Sequence, residues 1–189
     1  MSEEMMLRYC APTLAGLKTG SLLTCPYGST QEMLGNLRAW NRRLSKKGLR
    51  VIPLRVRKNR ALVYVYRPEK LKKDLQNGEA SRVLLREGYQ SGEARCVERL
   101  MRRLREEKAF PHEIGLFIGY PPADVQGFMQ HGGRGCKCVG CWKVYGDESA
   151  ARRQFARFEK CTAVYLRKYA DGRSVEQLTV ADKNAKRAP

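Results

Sequence analysis

The sequence predicts a single α+β domain, residues 1–180, in which several helices pack a small, mainly antiparallel sheet. Three observations carry that expectation. Residues 49–67, LRVIPLRVRKNRALVYVYR, alternate apolar with polar or proline positions on either side of a Lys58-Asn59-Arg60 turn, the pattern of a β-hairpin. The stretch after Thr30 and the stretch after Gly92 repeat apolar residues at helical spacing. Helical and strand-like segments mix along the chain without a repeat or a linker-like stretch, which favours one mixed domain over two.

The composition agrees. At 189 residues the chain suits one sizeable domain, and 42% hydrophobic residues is ordinary for a globule. No run of about 18 apolar residues occurs, so no membrane span is expected. The first ten residues, MSEEMMLRYC, are acidic where a signal peptide would be basic, so the expected location is cytoplasmic. Seven cysteines in a reducing compartment point to thiols, metal ligation or redox chemistry rather than a disulfide framework. The net charge of +18, from 37 Lys and Arg against 19 Asp and Glu, favours an acidic partner.

In order, residues 1–9 are a lead-in. A helix then starts near Pro12, whose missing N–H suits a first turn, with Leu14, Leu17 and Leu22 as its apolar stripe. Cys25-Pro26-Tyr27-Gly28 is a turn. Thr30 caps a helix to about Lys47, with Met33, Leu37, Trp40 and Leu44 facing a core. In the hairpin that follows, Pro53 marks a free edge. Short helices start at Pro68 and at 79, and a longer one runs from 92 to about 108. Cys96 lies near its apolar stripe and is expected to be packed. Ile114–Ile118 is a buried strand, Pro122 begins a helix to about Gln130, and Trp142–Tyr145 is a short strand. Asp147 caps a long helix, about 148–169. Leu178-Thr179-Val180 adds an edge strand, and residues 181–189 form a disordered basic tail.

CAPTLAGLKTGSLL near the start, PHEIGLFIGYPPADVQGF, and CKCVGCWKVYGD are distinctive in combination. On these motifs the chain resembles, over roughly residues 5–180, an uncharacterised family of anaerobic Gram-positive bacteria filed only as a domain of unknown function. The resemblance implies a bacterial cytoplasmic protein and brings no established fold, substrate or catalytic residue.

Residue chemistry offers three sites. The first pairs Cys10, just before a helix, with His112 at the start of a strand, an order similar to that of papain-like thiol hydrolases and acyltransferases. The helix dipole favours the thiolate and the imidazole takes its proton, with Asp124 or Asp147 to orient the ring. Glu113 would point away if 112–118 were a strand. No papain-type glycine signature surrounds Cys10, and no Asn-Ser-Trp element follows the histidine. The alternative is a buried Cys10 and a structural His112.

The second site is His131, Cys136, Cys138 and Cys141, four soft or borderline donors among glycines. They suit zinc or an iron–sulfur cluster, with Cys161 a substitute for His131, or a redox pair at Cys138 and Cys141. Zinc ribbons use two separated Cys-x2-Cys knuckles, and here only Cys138/Cys141 has that spacing. Unligated thiols are the bland alternative.

The third is a basic face drawn from Arg42/Arg43/Lys46/Lys47, Arg55/Arg57/Lys58/Arg60 and Arg99/Arg102/Arg103/Arg105. It would suit nucleic acid or an acidic protein such as a flavodoxin-like carrier. The leading expectation is cysteine chemistry at the Cys136/Cys138/Cys141 loop.

Overall fold

The computed structural model describes residues 1–106 and 109–182. The architecture is α+β, with a three-stranded antiparallel sheet and a separate two-stranded hairpin. Contacts group the chain into two compact units: Met1–Glu69 with the described part of Lys160–Pro189, and Lys70–Glu159.

In the first unit, α1 (Glu3–Leu14) begins where the Ser2 side chain accepts the Met5 N–H, and two acidic residues follow in its first turn. The helix therefore starts about nine residues before Pro12, which lies inside its last turn. Gly16, at φ 75°, ends it, and the N–H groups of Leu17 and Lys18 both turn back to the Pro12 carbonyl. The expected Leu14/Leu17/Leu22 stripe is thereby split. Its second half is β1 (Gly20–Pro26), in which Ser21, Leu23 and Cys25 point inward. An apolar run this short fits either period, and here the pairing decides.

The helix α2 (Thr30–Leu44) is capped by Ser29, one residue before the expected cap, and buries Met33, Leu37, Trp40 and Leu44 as their spacing requires. A 3-10 turn over Ser45–Lys47 leads to Gly48 and the hairpin of β2 (Arg50–Arg57) and β3 (Arg60–Tyr66). The sheet order is β1-β3-β2, so β2 is an edge strand and its proline is tolerated there; the register shifts between Pro53 and Arg55. Ala61, Val63 and Val65 face the core with α1 and α2, and Tyr64 and Tyr66 stack on the other face with ring centroids 4.4 Å apart.

The 178–180 segment is not a strand. The helix α9 (Val175–Leu178), opened by a capping box between Ser174 and Gln177, takes Leu178, and Thr179 and Val180 follow it as irregular chain. Two polar knots tie this segment in. Arg43 makes ion pairs with Glu3 and Glu176. Arg67, 3% exposed, donates to the carbonyls of Thr13, Leu14 and Val180 at 2.7 Å each. The 181–189 tail lies outside the described residues from 183 onward.

The second unit holds the shorter elements. The helices α4 (Gly78–Arg86), α5 (Glu93–Glu106), α6 (Ile114–Phe117) and α7 (Pro122–His131) precede the hairpin β4 (Cys138–Val139) and β5 (Lys143–Val144). Before α4 runs α3 (Pro68–Leu75), and after the hairpin the first part of α8 (Glu148–Ala170) adds Ala151, Phe155 and Phe158. Ile114–Ile118, expected as a strand, is a short buried helix followed by a turn. The N–H groups of Gly115 and Leu116 bond three residues back, to His112 and Glu113, and among the described residues no strand pairs with the run. Cys96 is packed, as expected, with its thiol on the Gln90 carbonyl.

Two outcomes follow for the first unit. Arg67→Met removes the buried guanidinium that joins the Thr13, Leu14 and Val180 carbonyls, and urea unfolding should show a loss of about 2–4 kcal/mol. The Arg43 hydrogen bond holds the Glu176 carboxyl at about 2, below its ordinary 4.5. A depressed carboxylate stabilises above its unfolded value and loses that contribution as pH falls toward the folded one. Glu176→Gln should therefore melt lower than wild type at pH 7, by about 1 kcal/mol after solvent screening, and the two melting curves should converge between pH 4.5 and 2.

Candidate functional site

The stretch from Phe110 to Tyr145 forms the core of the second unit's site. Pro111 and the polar pair His112-Glu113 lead into α6, and their side chains part. Glu113 is 1% exposed and takes a 2.6 Å hydrogen bond from the Tyr89 hydroxyl and a 2.5 Å ion pair from Arg103, which also reaches Glu87. Burial, and then the Glu113 carboxylate, raise the Tyr89 pKa, so the phenol stays protonated. Glu113 is thus turned away from His112, as expected, although by a helical turn and not by strand alternation. Arg103 is thereby committed to an ion-pair knot, as Arg43 is in the first unit, so neither is a loose phosphate ligand.

Asp124, in the first turn of α7, is 3% exposed. Its Oδ2 accepts the Trp142 indole N–H at 2.6 Å, and its Oδ1 accepts the backbone N–H groups of Tyr145 and Gly146 at 2.7 Å each. Three donors meet one carboxylate, so Asp124 does not orient His112. The sequence pattern suggested an orienting acid; the structure makes Asp124 the anchor of the hairpin. Asp147 accepts the Ala150 N–H at the start of α8, the capping role expected of it.

Gly132, at φ 59°, stops α7, and the chain turns into the cysteine loop. The β4–β5 hairpin is held by pairing of Cys138 with Val144 and Val139 with Lys143, and by the Gly140 N–H on the Trp142 carbonyl. Gly140 packs directly under the Phe155 ring, where a side chain would clash. The Tyr120 hydroxyl donates to the Cys141 carbonyl at 2.8 Å, and its ring lies 4.7 Å from that of Trp142. Burial pushes Tyr120 up to about 12, with a smaller effect from Cys141.

His131 is exposed at the end of α7, with its ring stacked on Tyr145. Cys136 and Cys138 are half-buried and Cys141 is exposed. Among the described residues no three His, Cys, Asp or Glu side chains form a group able to hold a metal ion, so His131, Cys136, Cys138 and Cys141 do not stand as a ready cage. The glycines that would let the loop wrap an ion also let it lie open. Cys161, the substitute ligand, belongs to the first unit.

Cys10 is placed differently from its expectation. It lies in the C-terminal half of α1, where the dipole disfavours a thiolate, and it is fully buried. Burial pushes its thiol up to about 12, and Lys18 offsets little of this. Cys25 and Cys96 are likewise buried and raised by desolvation. Cys10 belongs to the first unit and His112 to the second. The helix-dipole activation proposed for Cys10 is therefore absent.

His112 instead lines a cavity of about 290 Å³ in the second unit. Ile114, Ile118, Val125 and Phe128 form its apolar walls, Tyr120 and Trp142 an aromatic one, and Lys143 stands at its edge. Neither the cavity nor the roles of Lys143 and Glu113 was visible in the spacing, because they depend on how α6 and α7 turn against the hairpin.

No helix among the described residues is long and apolar enough to cross a membrane. Residues 6–179 match the model of a family described as a protein of unknown function (DUF3793). No curated protein and no solved structure matches the chain.

Asp124→Ala removes the acceptor of three hairpin donors. Denaturant unfolding followed by tryptophan emission should show about 2–4 kcal/mol lost, with the Trp142 emission shifted to the red in the native state.

Proposed function

The chain belongs to the DUF3793 family of proteins of unknown function, and we propose that it works by thiol–disulfide exchange at the Cys136/Cys138/Cys141 loop. The observation that carries this reading is the sorting of the cysteines. Cys10, Cys25 and Cys96 are sealed in cores with raised thiols, whereas Cys138 and Cys141 lie on the β4–β5 hairpin and Cys136 just before it, half-buried or exposed; Cys161, on α8, is half-buried as well. Reactivity requires thiolate and access, and the loop gathers three accessible thiols within six residues, which a two-thiol exchange needs.

A cation stands near this set. Arg152, held by Glu148 on α8, also feels the charge of Cys138. One loop thiolate attacks the disulfide of a partner and releases a partner thiolate. A second loop thiolate then attacks the mixed disulfide, leaving a loop disulfide and a fully reduced partner. Two electrons pass to the partner, and the two loop protons leave with the released thiols or to solvent. The basic surface suits an acidic partner for this exchange. The same donors would take zinc or an iron–sulfur cluster only by regrouping around it.

Oxidation of the reduced protein by glutathione disulfide tests the reading. The expected result is loss of two rapidly titrating thiols and a mass loss of two hydrogens, mapped by digestion to a bridge within Cys136, Cys138 and Cys141. Cys10 should stay unalkylated by iodoacetamide at pH 8.5 in the native state. Bridges elsewhere, or no two-thiol loss, sink the exchange reading. One tightly held zinc or iron per chain in protein purified without oxygen would replace it with metal binding.

A further inference from the structure

The cavity beside the hairpin has a chemistry of its own. We propose that it is a binding site for a small flat aromatic acid: a fused ring held between the apolar and aromatic walls, with its carboxylate at Lys143 and His112. The inference stands independently of the thiol reading, since no cysteine lines the cavity.

Size comes first. About 290 Å³ lies at the small end of ligand cavities, which run about 300–1,000 Å³. That admits a bicyclic ring and excludes a dinucleotide or a peptide segment of any length. Shape comes next. Two ring pairs flank the space, Tyr120 with Trp142 at 4.7 Å between centroids, and His112 with Phe128 at 4.8 Å. Ile114, Ile118 and Val125 supply the aliphatic remainder. Planar faces on the wall favour a planar guest, which stacks or meets the rings edge-on.

Charge fixes the rest. Of the polar side chains at the cavity, Asp124 is already met by three donors and has no call on a ligand. Lys143 donates once, to the Gly133 carbonyl at 2.9 Å, which leaves two of its three N–H groups. Among the described residues, His112 has ring contacts with Phe110 and Phe128 and no hydrogen bond, so both ring nitrogens remain for a guest. The polar groups left over at this cavity are therefore a cation and an imidazole, which suit a carboxylate. A neutral guest of the same shape would leave the ammonium without a counter-charge.

The test uses the whole protein labelled with nitrogen-15, with 2-naphthoate as the acid and 2-naphthamide as its neutral counterpart. The chain has two tryptophans, Trp40 and Trp142, so two indole N–H signals report separately. The expected result is a saturable shift of the Trp142 signal by 2-naphthoate, with Kd below about 100 μM by calorimetry. The Trp40 signal should stay in place. The amide should bind at least about tenfold more weakly. Lys143→Met should erase that preference and Lys143→Arg should keep it. Val125→Phe fills the cavity and should abolish binding of both probes; if it unfolds the protein, Phe128→Trp narrows the space from the next turn of α7 and answers the same question. Replacing Cys136, Cys138 and Cys141 together by serine should leave naphthoate affinity within about twofold, which separates this site from the thiol chemistry.

The proposal is overturned by any of four results. These are no saturable shift of Trp142 up to 1 mM naphthoate, equal or tighter binding of the amide, an acid preference that survives Lys143→Met, or unchanged binding in a folded cavity-filled variant.

Discussion

A carboxylate that leaves water must recover its lost hydrogen bonds from the protein, or the burial is strongly unfavourable. Asp124 recovers three, from one indole and two backbone N–H groups. That requirement shapes the second unit. A hairpin with strands of two residues has too few ladder bonds to fix itself. Its position comes from the carboxylate on α7, which binds both the side chain that opens β5 and the backbone that leaves it. Glu113 acts similarly one helix earlier, drawing in Tyr89 and Arg103. In the first unit the sign is reversed and the logic the same: the Arg67 guanidinium collects carbonyls from the end of α1 and from the segment after α9.

This way of building sorts the cysteines. Where regular elements close over a core, as at α1, β1 and α5, the thiols are packed as small apolar groups and their pKa rises. Where a loop is pinned from one side by buried polar contacts, its other side stays open. Cys141 is exposed for that reason, since its carbonyl takes the Tyr120 hydroxyl while its side chain has no core to enter. Access is thus a consequence of how the hairpin is anchored.

Much of the fold was legible in the sequence. Where period and length agreed, as for Met33, Leu37, Trp40 and Leu44, or for the 49–67 hairpin, the elements formed as read. Leu17–Pro26 and Ile114–Ile118 were misread because each is too short for its period to show. One became a strand over Gly20–Pro26 because β3 offered a full-length partner, and the other a helix because none of the described strands did. The Cys10 reading failed on a boundary: placing the helix start at Pro12 instead of Ser2 moved the thiol from one end of the dipole to the other. At the site, the sequence located the right stretch and misjudged its roles. Asp124 and His112 were both singled out, yet one anchors the hairpin and the other edges a cavity. The Asp124 assignment rests on contacts 18 to 22 positions away and that of His112 on Phe128, 16 positions away, which no local pattern encodes.

Trp142 joins these threads. Its indole N–H is fixed by Asp124, its ring meets Phe155 edge-on at 4.5 Å and lies near Tyr120, and it contributes to the cavity wall. It also follows Cys141 directly in the chain. A change in the backbone at Cys141 therefore acts on the cavity wall through one peptide bond and through the Tyr120 hydroxyl that caps the Cys141 carbonyl. The cysteine loop and the cavity wall thus share one hairpin, and a single buried carboxylate on α7 is bonded both to the indole before β5 and to the backbone after it.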